Sequence, residues 1–510
     1  MKEQQNKSLD EINRSVKVPS VYESSFLQKF LAYSGPGALV AVGYMDPGNW
    51  LTSLSGGSKY RYELLSVLLI SIIVAMFMQT LAIKLGVVSR LDLAQAIATK
   101  IPRWGRYILW FINEIAMMAT DMTGVVGTSI ALKLLFGLSL IFGIFFTIFD
   151  VLLVLLFLRF GIRRIEFIVL FSILVVGVIF GIEVFRAQPN VGGILGGLLP
   201  TPSIMTNHEK LVMSLGIVGA TIMPHNVYLH SSLAQSRRYD YHDPKQVNEA
   251  LQFGKWDSNV HLIAAFLINA LLLILGGTLF FNKNANFSAF QDVYHGLQNS
   301  AIVGSLASPL MSTLFAFALL ITGMISSITS TLAGQIVMEG YLHIRLPLWE
   351  RRLLTRFVTL IPILIIGFIV GFNDDTFEQM IVFAQIALSI ALPFTLFPMV
   401  ALTNNHDLMG VHTNRLSVTV VGYLLTSIIT VLNIQFILAI FLGGLILKVL
   451  GILGSHRNNG VTAKMLAAVM AGIKEPNESE IIYLEDYPFK PDHGDKKDPV
   501  LDELEQKNAR

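Results

Sequence analysis

Gly43-Tyr-Met-Asp-Pro-Gly-Asn49 and Ala220-Thr-Ile-Met-Pro-His-Asn226 each place a proline in the middle of a long apolar segment. Proline removes a backbone donor, and its ring clashes with the preceding helical turn. Backbone carbonyls freed in this way are tolerated inside a membrane only where they are buried in protein or line a polar cavity. One such proline would be an ordinary kink. Two of them, flanked by ligand-type residues, indicate two interrupted membrane helices.

The composition of the chain is typical of a membrane protein. Of the 510 residues, 53% are hydrophobic and 14% are charged, and the mean hydropathy is +0.61, whereas a soluble domain carries roughly 25% charged residues. The chain has no cysteine, which excludes disulfides, thiolate metal sites and cysteine nucleophiles. The net charge of +2, without a basic cluster, gives no indication of nucleic-acid binding.

The apolar residues form continuous blocks of about 20 residues or more, the length that crosses a bilayer as a helix. Strands of a membrane barrel would instead alternate apolar and polar residues over about ten positions. The sequence therefore predicts an all-α polytopic membrane protein with 11–12 transmembrane helices, the last two separated only by Asn433 and Gln435. The predicted spans are Phe30–Gly57, Glu63–Val87, Tyr107–Leu135, Leu138–Leu158, Ile165–Phe185, Lys210–Gln235, Val260–Phe281, Ser305–Tyr341, Leu353–Phe372, Phe377–Leu402, Leu416–Leu432 and Phe436–Leu453.

Basic residues concentrate in the loops that follow the even-numbered spans. Cytoplasmic loops of membrane proteins carry such an excess of lysine and arginine. We therefore expect a multi-pass protein of the cell membrane with a cytoplasmic N-terminus. The basic residues are Arg90, Lys100, Arg103, Arg106, Arg159, Arg163, Arg164, Arg237, Arg238, Lys245, Arg345, Arg351 and Arg352.

Pro47 and Pro224 lie five spans apart, so the second unit enters the membrane in the opposite orientation. This pattern predicts a five-plus-five inverted repeat, with broken helices 1 and 6 and a substrate site between them at the bilayer midplane. The predicted parts are a cytoplasmic N-terminal tail (1–27), repeat one (28–190), repeat two (205–403), peripheral spans eleven and twelve (414–453) and a polar, largely disordered cytoplasmic tail (454–510).

The two breaks carry side chains that suit a transition-metal ion. A carboxylate near the bilayer centre, such as Asp46, is costly and indicates a function. Asn49 offers an amide oxygen, Met223 a thioether sulfur, and Gly43 and Ala220 offer freed carbonyls. Calcium and magnesium prefer shells made only of oxygen, whereas a soft thioether favours a borderline ion. The set predicts a site that binds manganese(II) and also accepts cadmium(II) as a non-physiological ion.

Other interpretations of this set remain open. Most methionines in membrane helices are packing residues, and Met223 could be one of them. The lack of cysteine and of a tight histidine cluster argues against a closed zinc site.

At these residues the chain resembles the Nramp (MntH-type) family of proton-coupled divalent metal ion transporters. Asp46-Pro-Gly-Asn49 and Met223-Pro-His-Asn226 are similar to the paired signatures of that family. Three more stretches add to the resemblance, which extends from Phe30 to Thr403. They are Asn113–Asp121 in span three, Arg159–Arg163 after span four and Ser326–Gly340 in span eight.

The resemblance implies a leucine-transporter-like fold and import of manganese(II), iron(II) and related ions by alternating access. It implies a transporter rather than an enzyme, with no cofactor other than the transported ions and protons, and no obligatory protein partner. The ion ligands that it implies are Asp46, Asn49, Met223 and the Ala220 carbonyl, with Gln385 of span ten approaching the ion in some states.

The resemblance also implies a proton route. His225 and His230 match positions that the family links to proton movement and gating. We expect the proton to leave Asp46 by way of His230 and Asp121, with Arg352 and Arg356 as counter-charges on the cytoplasmic route. The two histidines could equally be structural hydrogen-bonding residues.

One departure from the family pattern concerns proton coupling. The family usually has glutamate three residues after the span-three aspartate, and here that position is Gly124. Either Asp121 and the histidines carry the proton, or coupling is looser than usual.

Four other functions remain as alternatives. A sodium-coupled amino-acid carrier on the same fold would not need an acid beside a thioether. A magnesium carrier of the same family would gain little from Met223. An intramembrane aspartyl protease needs two carboxylates that share a proton, and no Gly-x-Gly-Asp stretch is present in any span. A passive channel is not excluded by the sequence.

Overall fold

The computed structural model describes residues 13, 15–19, 24–150, 152, 161–281, 289–300, 307–443, 449–453 and 479–483. Contacts divide the chain into two units, Met1–Asn433 and Ile434–Arg510. Most of the predicted fourth span beyond residue 150, together with Arg159, lies outside the described residues.

The first half of the chain contains the first broken helix. Its two parts are separated by Tyr44–Asp46, as the proline at position 47 predicts. The helices of this half are α1 (Phe26–Tyr33), α2 (Pro36–Gly43), α3 (Pro47–Tyr60), α4 (Leu65–Ser89), α5 (Leu93–Ala98), α6 (Arg103–Phe136), α7 (Leu140–Phe146) and α8 (Ile162–Ala187), followed by the linking helices α9 (Val191–Gly197) and α10 (Ser203–Thr206).

The second half contains the second broken helix, which is interrupted at Ile222–Met223. Its helices are α11 (His208–Thr221), α12 (Pro224–Leu233), α13 (Pro244–Leu279), α14 (Ala289–Gly296), α15 (Pro309–Leu342), α16 (Leu348–Val370), α17 (Asp374–Thr403), α18 (His406–Met409) and α19 (Leu416–Gly443). Two short parallel pairings are also present, β1 (Val16–Lys17) with β2 (Arg237–Arg238) and β3 (Val449–Leu453) with β4 (Ser479–Tyr483).

Within the described residues, nine helical segments are long and apolar enough to cross a membrane. The first span is absent from that set because its halves, α2 and α3, are short. The fourth is represented only by the shorter apolar segment Leu140–Phe149. Together these segments account for the first eleven of the twelve predicted spans, and the chain is a multi-pass membrane protein.

The two breaks follow one local rule. Pro47 and Pro224 each occupy the first position of the helix after the break, where a missing N–H costs nothing. The residue before each proline is extended, with φ −70° and ψ 166° at Asp46 and φ −113° and ψ 135° at Met223. Proline disfavours helical geometry in the preceding residue. The helix must therefore stop at these positions.

The end of the chain differs from the prediction. Helix α19 continues through Asn433 and Gln435 to Gly443, so the expected turn between spans eleven and twelve is wrong. No proline or glycine stands at those positions to break the helix, and Asn433 is buried with its side chain donating to the Ser389 carbonyl (3.4 Å).

Two of the predicted C-terminal segments are strands. Val449–Leu453, which was expected to end a twelfth span, forms β3 and pairs with β4, Ser479–Tyr483, inside the tail that was expected to be largely disordered. Both segments are rich in residues that favour strands. The remainder of that tail lies outside the described residues.

Small residues allow the helices around the breaks to pack closely. A Cβ added at Gly57 would lie 2.1 Å from the Leu273 carbonyl oxygen, and one at Gly86 would lie 2.0 Å from the Ser231 carbonyl oxygen. Helix interfaces in membranes use small residues in this way, because the backbones can then approach each other. These contacts hold α3 against α13 and α4 against α12.

We expect Gly86→Ala to lower the free energy of unfolding by about 1–3 kcal/mol, the usual cost of overpacking. The new methyl group would meet backbone, which cannot rotate away. Gly181→Ala is the matched control, because its added Cβ meets no atom of the described residues within 4 Å outside its own stretch of helix, and alanine is favoured over glycine within a helix. Thermal unfolding in detergent measures both. Equal stability of the two variants would contradict the close packing at Gly86.

Candidate metal centre

Asp46 lies in the first break and is fully buried. Its Oδ1 accepts hydrogen bonds from the backbone N (2.9 Å) and side-chain Nδ2 (2.8 Å) of Asn49. Its Oδ2 accepts from the hydroxyl of Thr123 on α6 (3.1 Å). The carboxylate therefore caps α3, at the helix end where the macrodipole favours negative charge. These contacts hold an anionic group beside the unwound backbone.

The prolines decide which carbonyls are freed. In a regular helix the N–H of residue i+4 donates to the carbonyl of residue i. Pro47 stands four residues after Gly43, and Pro224 stands four residues after Ala220. Because proline has no N–H, the carbonyls of Gly43 and Ala220 lose their helical donors. These are the two carbonyls that the sequence predicts as ligands.

The other carbonyls of the first break have donors. Asn269 of α13 donates to the Tyr44 carbonyl (2.6 Å), and the indole of Trp50 donates to the Met45 carbonyl (3.0 Å). Trp50 is itself fixed by an edge contact with Phe180, with ring centroids 4.8 Å apart. The unwound segment is thus held in one conformation.

Two buried side-chain amides face the breaks without partners. A Cβ added at Gly43 would lie 2.2 Å from Asn226 Oδ1, and one at Gly48 would lie 2.0 Å from Gln385 Nε2 and 3.3 Å from Asp46 Oδ1. Within the described part of the chain, neither amide has a hydrogen-bond partner on its oxygen or its nitrogen. Buried polar atoms are nearly always satisfied, so these two amides point to a polar ligand between the breaks.

Met223 is fully buried in an apolar cluster at the second break. The cluster contains Ala116 and Ala119 of α6 and Ala384 and Leu388 of α17. Helix α17 therefore contacts both breaks, through Ala384 at Met223 and through Gln385 at Gly48. Met223 packs as a core residue here, which is one of the two roles considered from the sequence.

The two histidines have different surroundings. The Nδ1 of His225 lies 3.1 Å from the Thr120 hydroxyl, one turn from Thr123, so one face of α6 contacts both breaks. The Nδ1 of His230 lies 2.9 Å from Gln79 Oε1 on α4, and Gln79 Nε2 donates to the Tyr44 hydroxyl (2.9 Å). His230 is thus linked to the first break.

Asp121 belongs to a charge cluster, the Asp121/Asp150/Arg352/Arg356 cluster, in which Asp150 is partly buried and the other three residues are buried. Arg352 contacts Asp121 (2.5 Å) and Asp150 (2.5 Å), and Arg356 contacts Asp150 and Asp121 (3.4 Å to the latter). Two carboxylates and two guanidiniums balance, which makes burial of the charges tolerable. The structure therefore brings Asp121, Arg352 and Arg356 together and adds Asp150, which could not be placed from the sequence.

Gly124 lies where α6 and α15 are in close contact. A Cβ added there would lie 3.1 Å from the Ser327 hydroxyl oxygen and 3.2 Å from the Gly323 carbonyl oxygen. Ser327 also accepts a hydrogen bond from Arg356 (2.9 Å). A larger side chain at position 124 would therefore displace the packing next to the charge cluster.

The structure adds two residues that the sequence prediction did not name as ligands or supports. Asn226 faces Gly43, and Thr123 donates to Asp46. Asn226 is the last residue of the stretch Ala220–Asn226, two residues after Pro224, and this position was the available signal in the sequence. Nothing in the sequence distinguishes Thr123 from the other threonines of span three.

Within the described residues, no group of three or more histidine, aspartate or glutamate side chains could hold a metal ion. The candidate centre instead combines a single carboxylate, side-chain amides and freed carbonyls. Such a set of oxygen ligands does not form a closed zinc site. It is suited to an ion that binds and leaves.

At the end with the arginine-rich loops, the bundle is closed around the start of α2. Asp257 of α13 accepts hydrogen bonds from the backbone N–H groups of Gly35 (3.1 Å) and Gly37 (2.7 Å). Arg237 pairs with Glu166 (2.5 Å) and also donates to the Ser34 carbonyl (2.6 Å). These bonds join both broken helices to α8 and α13.

At the opposite end, an ion pair joins the outer parts of the broken helices. Lys210 of α11 contacts Glu63 (2.6 Å), which lies in the connection after α3. The hydrogen bond from Lys210 lowers the pKa of the Glu63 carboxyl. The pair is partly exposed and contributes little to stability.

Comparison with known proteins agrees with this architecture. The family model described as "Natural resistance-associated macrophage protein-like" (Nramp) matches residues 37–439. The divalent metal cation transporter MntH of Levilactobacillus brevis is 47% identical over 432 residues, which are 85% of this chain and 94% of the relative. The MntH protein of Staphylococcus saprophyticus is 46% identical over 437 residues, 86% of this chain and 98% of the relative.

Two solved structures are also similar. A crystal structure of the Eremococcus coleocola manganese transporter aligns with a TM-score of 0.81 and 40% identity, covering 91% of this chain and 96% of that one. Mhp1, a nucleobase-cation-symport-1 family transporter, aligns with a TM-score of 0.52 at 14% identity, covering 87% and 94%. At that identity the second match shows the fold alone.

These matches define the class as a membrane transporter, not an enzyme, with the all-α, leucine-transporter-like five-plus-five inverted repeat. The chain belongs to the Nramp family, as the resemblance of its two broken-helix signatures predicts.

Proposed function

We propose that this protein transports divalent metal cations. Manganese(II) is one substrate, iron(II) is a second, and cadmium(II) is transported as a non-physiological substrate. The observation that carries the proposal is the fully buried Asp46 carboxylate in the first break, beside the Gln385 amide, which has no hydrogen-bond partner among the described residues. A buried carboxylate at membrane depth needs a counter-ion or a function. The names of the MntH relatives and of the Eremococcus coleocola manganese transporter support this choice.

We propose Asp46, Asn49, Gln385, Met223 and the freed carbonyls of Gly43 and Ala220 as the ion-binding set. The oxygens suit manganese(II), and the soft sulfur favours a transition ion over calcium. Asn226 joins this set as a further amide, because its side chain lies against Gly43 and has no hydrogen-bond partner in the described part of the chain.

Proton coupling forms the second part of the proposal. Asp46 would be protonated or metal-bound in turn, because one carboxylate cannot serve both ions at once. His230, hydrogen-bonded through Gln79 to Tyr44 at the first break, and His225, bonded to Thr120, provide titratable groups near the break. The charge cluster of Asp121, Arg352 and Arg356 would supply the route towards the cytoplasm.

Alternating access and import form the third part. The end closed around Gly35 and Gly37 carries the arginine-rich loops. We assign this end to the cytoplasmic side of the cell membrane. Opening would require the bonds of Asp257 and Arg237 to the start of α2 to break. Rocking of the broken helices against the remaining bundle would achieve this.

Uptake into proteoliposomes tests the proposal. Purified protein is reconstituted, and uptake of manganese, magnesium and leucine is compared with and without an inward proton gradient. We expect manganese uptake that the gradient accelerates, and no uptake of leucine. Leucine uptake without manganese uptake would indicate a same-fold amino-acid carrier, and magnesium uptake in preference to manganese would indicate a magnesium carrier. Manganese uptake at the same rate with and without the gradient would mean that proton coupling is loosened, which is consistent with Gly124 at the position where the family usually has glutamate.

Met223→Ala is expected to reduce manganese and cadmium uptake roughly tenfold, the equivalent of losing one weak ligand, and to reduce discrimination against calcium and magnesium. The alanine variant also removes packing from the cluster with Ala384 and Leu388. Met223→Leu separates the two effects, because it keeps the side-chain volume and loses only the sulfur. Native selectivity in Met223→Leu would show that the thioether is a packing group and not a ligand.

A further inference from the structure

A groove lies between α1 and the first turns of α8, at the end of the bundle with the arginine-rich loops. It has a volume of about 610 Å³, within the range of small-molecule sites. We call it the α1–α8 groove. Its lining includes Leu31, Ser34, Arg163, Arg164, Phe167 and Leu170.

The walls of the α1–α8 groove are apolar and open to the surroundings. Leu31 is 54% exposed and Phe167 is 70% exposed. Leu31 lies in α1, and Phe167 lies in α8, a helix long and apolar enough to cross the membrane. Apolar side chains exposed at this place face the acyl region of a bilayer rather than water.

The mouth of the groove is basic. The side chain of Arg163 is 48% exposed, and Arg164 next to it is also exposed. One carboxylate lines the groove, Glu166, but it is buried and paired with Arg237 (2.5 Å) and Arg163 (3.0 Å). The described lining thus contains two arginines and one carboxylate, and that carboxylate is already balanced by Arg237 behind it, so the lining carries net positive charge.

We propose that the α1–α8 groove binds an anionic phospholipid, with the phosphate at Arg163 and Arg164 and the upper acyl chains along Leu31 and Phe167. Basic pockets between membrane helices on the cytoplasmic side bind anionic headgroups. Guanidinium matches a phosphate through paired hydrogen bonds. The combination of a basic mouth and an apolar wall selects a lipid over a free anion, which would gain nothing from Leu31 and Phe167.

The lipid would lie against a part of the chain that moves in the proposed cycle. Arg163 also donates to the carbonyls of Leu31 and Ser34, immediately before α2 begins. A bound headgroup would hold Arg163 over this junction and so favour the closed arrangement at this end. Binding itself does not depend on transport, so the proposal can fail or hold independently of the proposed function.

Lipid retention measured by native mass spectrometry tests the site. The full chain in detergent is titrated with phosphatidylglycerol and, separately, with phosphatidylcholine. We expect one phosphatidylglycerol molecule bound at least about fivefold more tightly than phosphatidylcholine, since each arginine near a membrane surface contributes about that factor for an anionic lipid. Excess inorganic phosphate should not displace it. Equal binding of the two lipids would overturn the proposal, and displacement by inorganic phosphate would show an anion site without a lipid.

Two variants and one control locate the lipid. Arg164→Gln removes one charge at the mouth, and we expect about fivefold weaker phosphatidylglycerol binding. Leu31→Glu places a negative charge on the exposed wall, and we expect a larger loss with an unchanged unfolding temperature. Arg238→Gln is the control, because this exposed arginine lies at the same end but does not line the groove. Native binding by both groove variants, or an equal loss in the control, would refute the site.

Discussion

Asp46→Asn is expected to abolish manganese uptake, with a loss of roughly 100-fold or more. Removing one partner from a buried charge pair costs about 3–5 kcal/mol, and each 1.4 kcal/mol is a factor of ten. The substitution changes little else, because asparagine caps a helix as well as aspartate does. Its oxygen can still accept from the backbone N of Asn49. The variant therefore tests the negative charge of Asp46 while keeping its role as a helix cap.

Two further variants complete this test. Asp46→Ala removes the charge and the cap, so uptake should be lost and stability should fall by about 1 kcal/mol. Asp92→Asn makes the same chemical change at the buried cap of α5, outside the candidate centre, and should leave uptake unchanged. Initial rates in proteoliposomes and unfolding in detergent measure both effects. Native uptake by Asp46→Asn would remove Asp46 from the ion site.

Arg352→Ala is expected to lower the free energy of unfolding by about 3–5 kcal/mol, the cost of leaving a buried charge without its partner. The arginine is fully buried and bonded to both Asp121 and Asp150. After the substitution, only Arg356 would balance the two carboxylates. Thermal and denaturant unfolding in detergent measure the loss.

A double-mutant cycle identifies the cause of that loss. Asp121→Ala together with Arg352→Ala should restore part of the stability, because one unbalanced carboxylate is removed with the guanidinium. Lys133→Ala is the matched control, since it breaks a partly exposed pair with Asp374 (2.6 Å) and should cost no more than about 1 kcal/mol. Equal losses for Arg352→Ala and Lys133→Ala would show that burial does not strengthen the cluster.

The positions of the two breaks follow from local chemistry, and so does the identity of the freed carbonyls. Proline acts on its own N–H, on the preceding residue and on the carbonyl four residues earlier, all within one helical turn. Pro47 and Pro224 therefore determine the ends of α2 and α11 in any tertiary context. Bilayer length and apolar continuity are equally local, which is why the spans could be predicted.

The end of the chain shows the limit of such local rules. The turn expected at Asn433 rested on polar residues within an apolar run. Asn433 instead finds an acceptor, the Ser389 carbonyl on α17, and α19 continues. This acceptor is 44 residues away in the sequence, so the local pattern could not reveal it.

The sequence alone was enough to establish the membrane class, the two interrupted helices, and the residue types that stand at each break, because each depends on neighbours within a few positions. The contacts of Thr123 with Asp46, of Asn226 with Gly43, and of Asp150 with Arg352 join residues far apart in the chain. Such contacts exist only once helices have packed, because packing sets which faces meet. The buried charge balance and the unpartnered amides at the centre are therefore properties of the folded bundle.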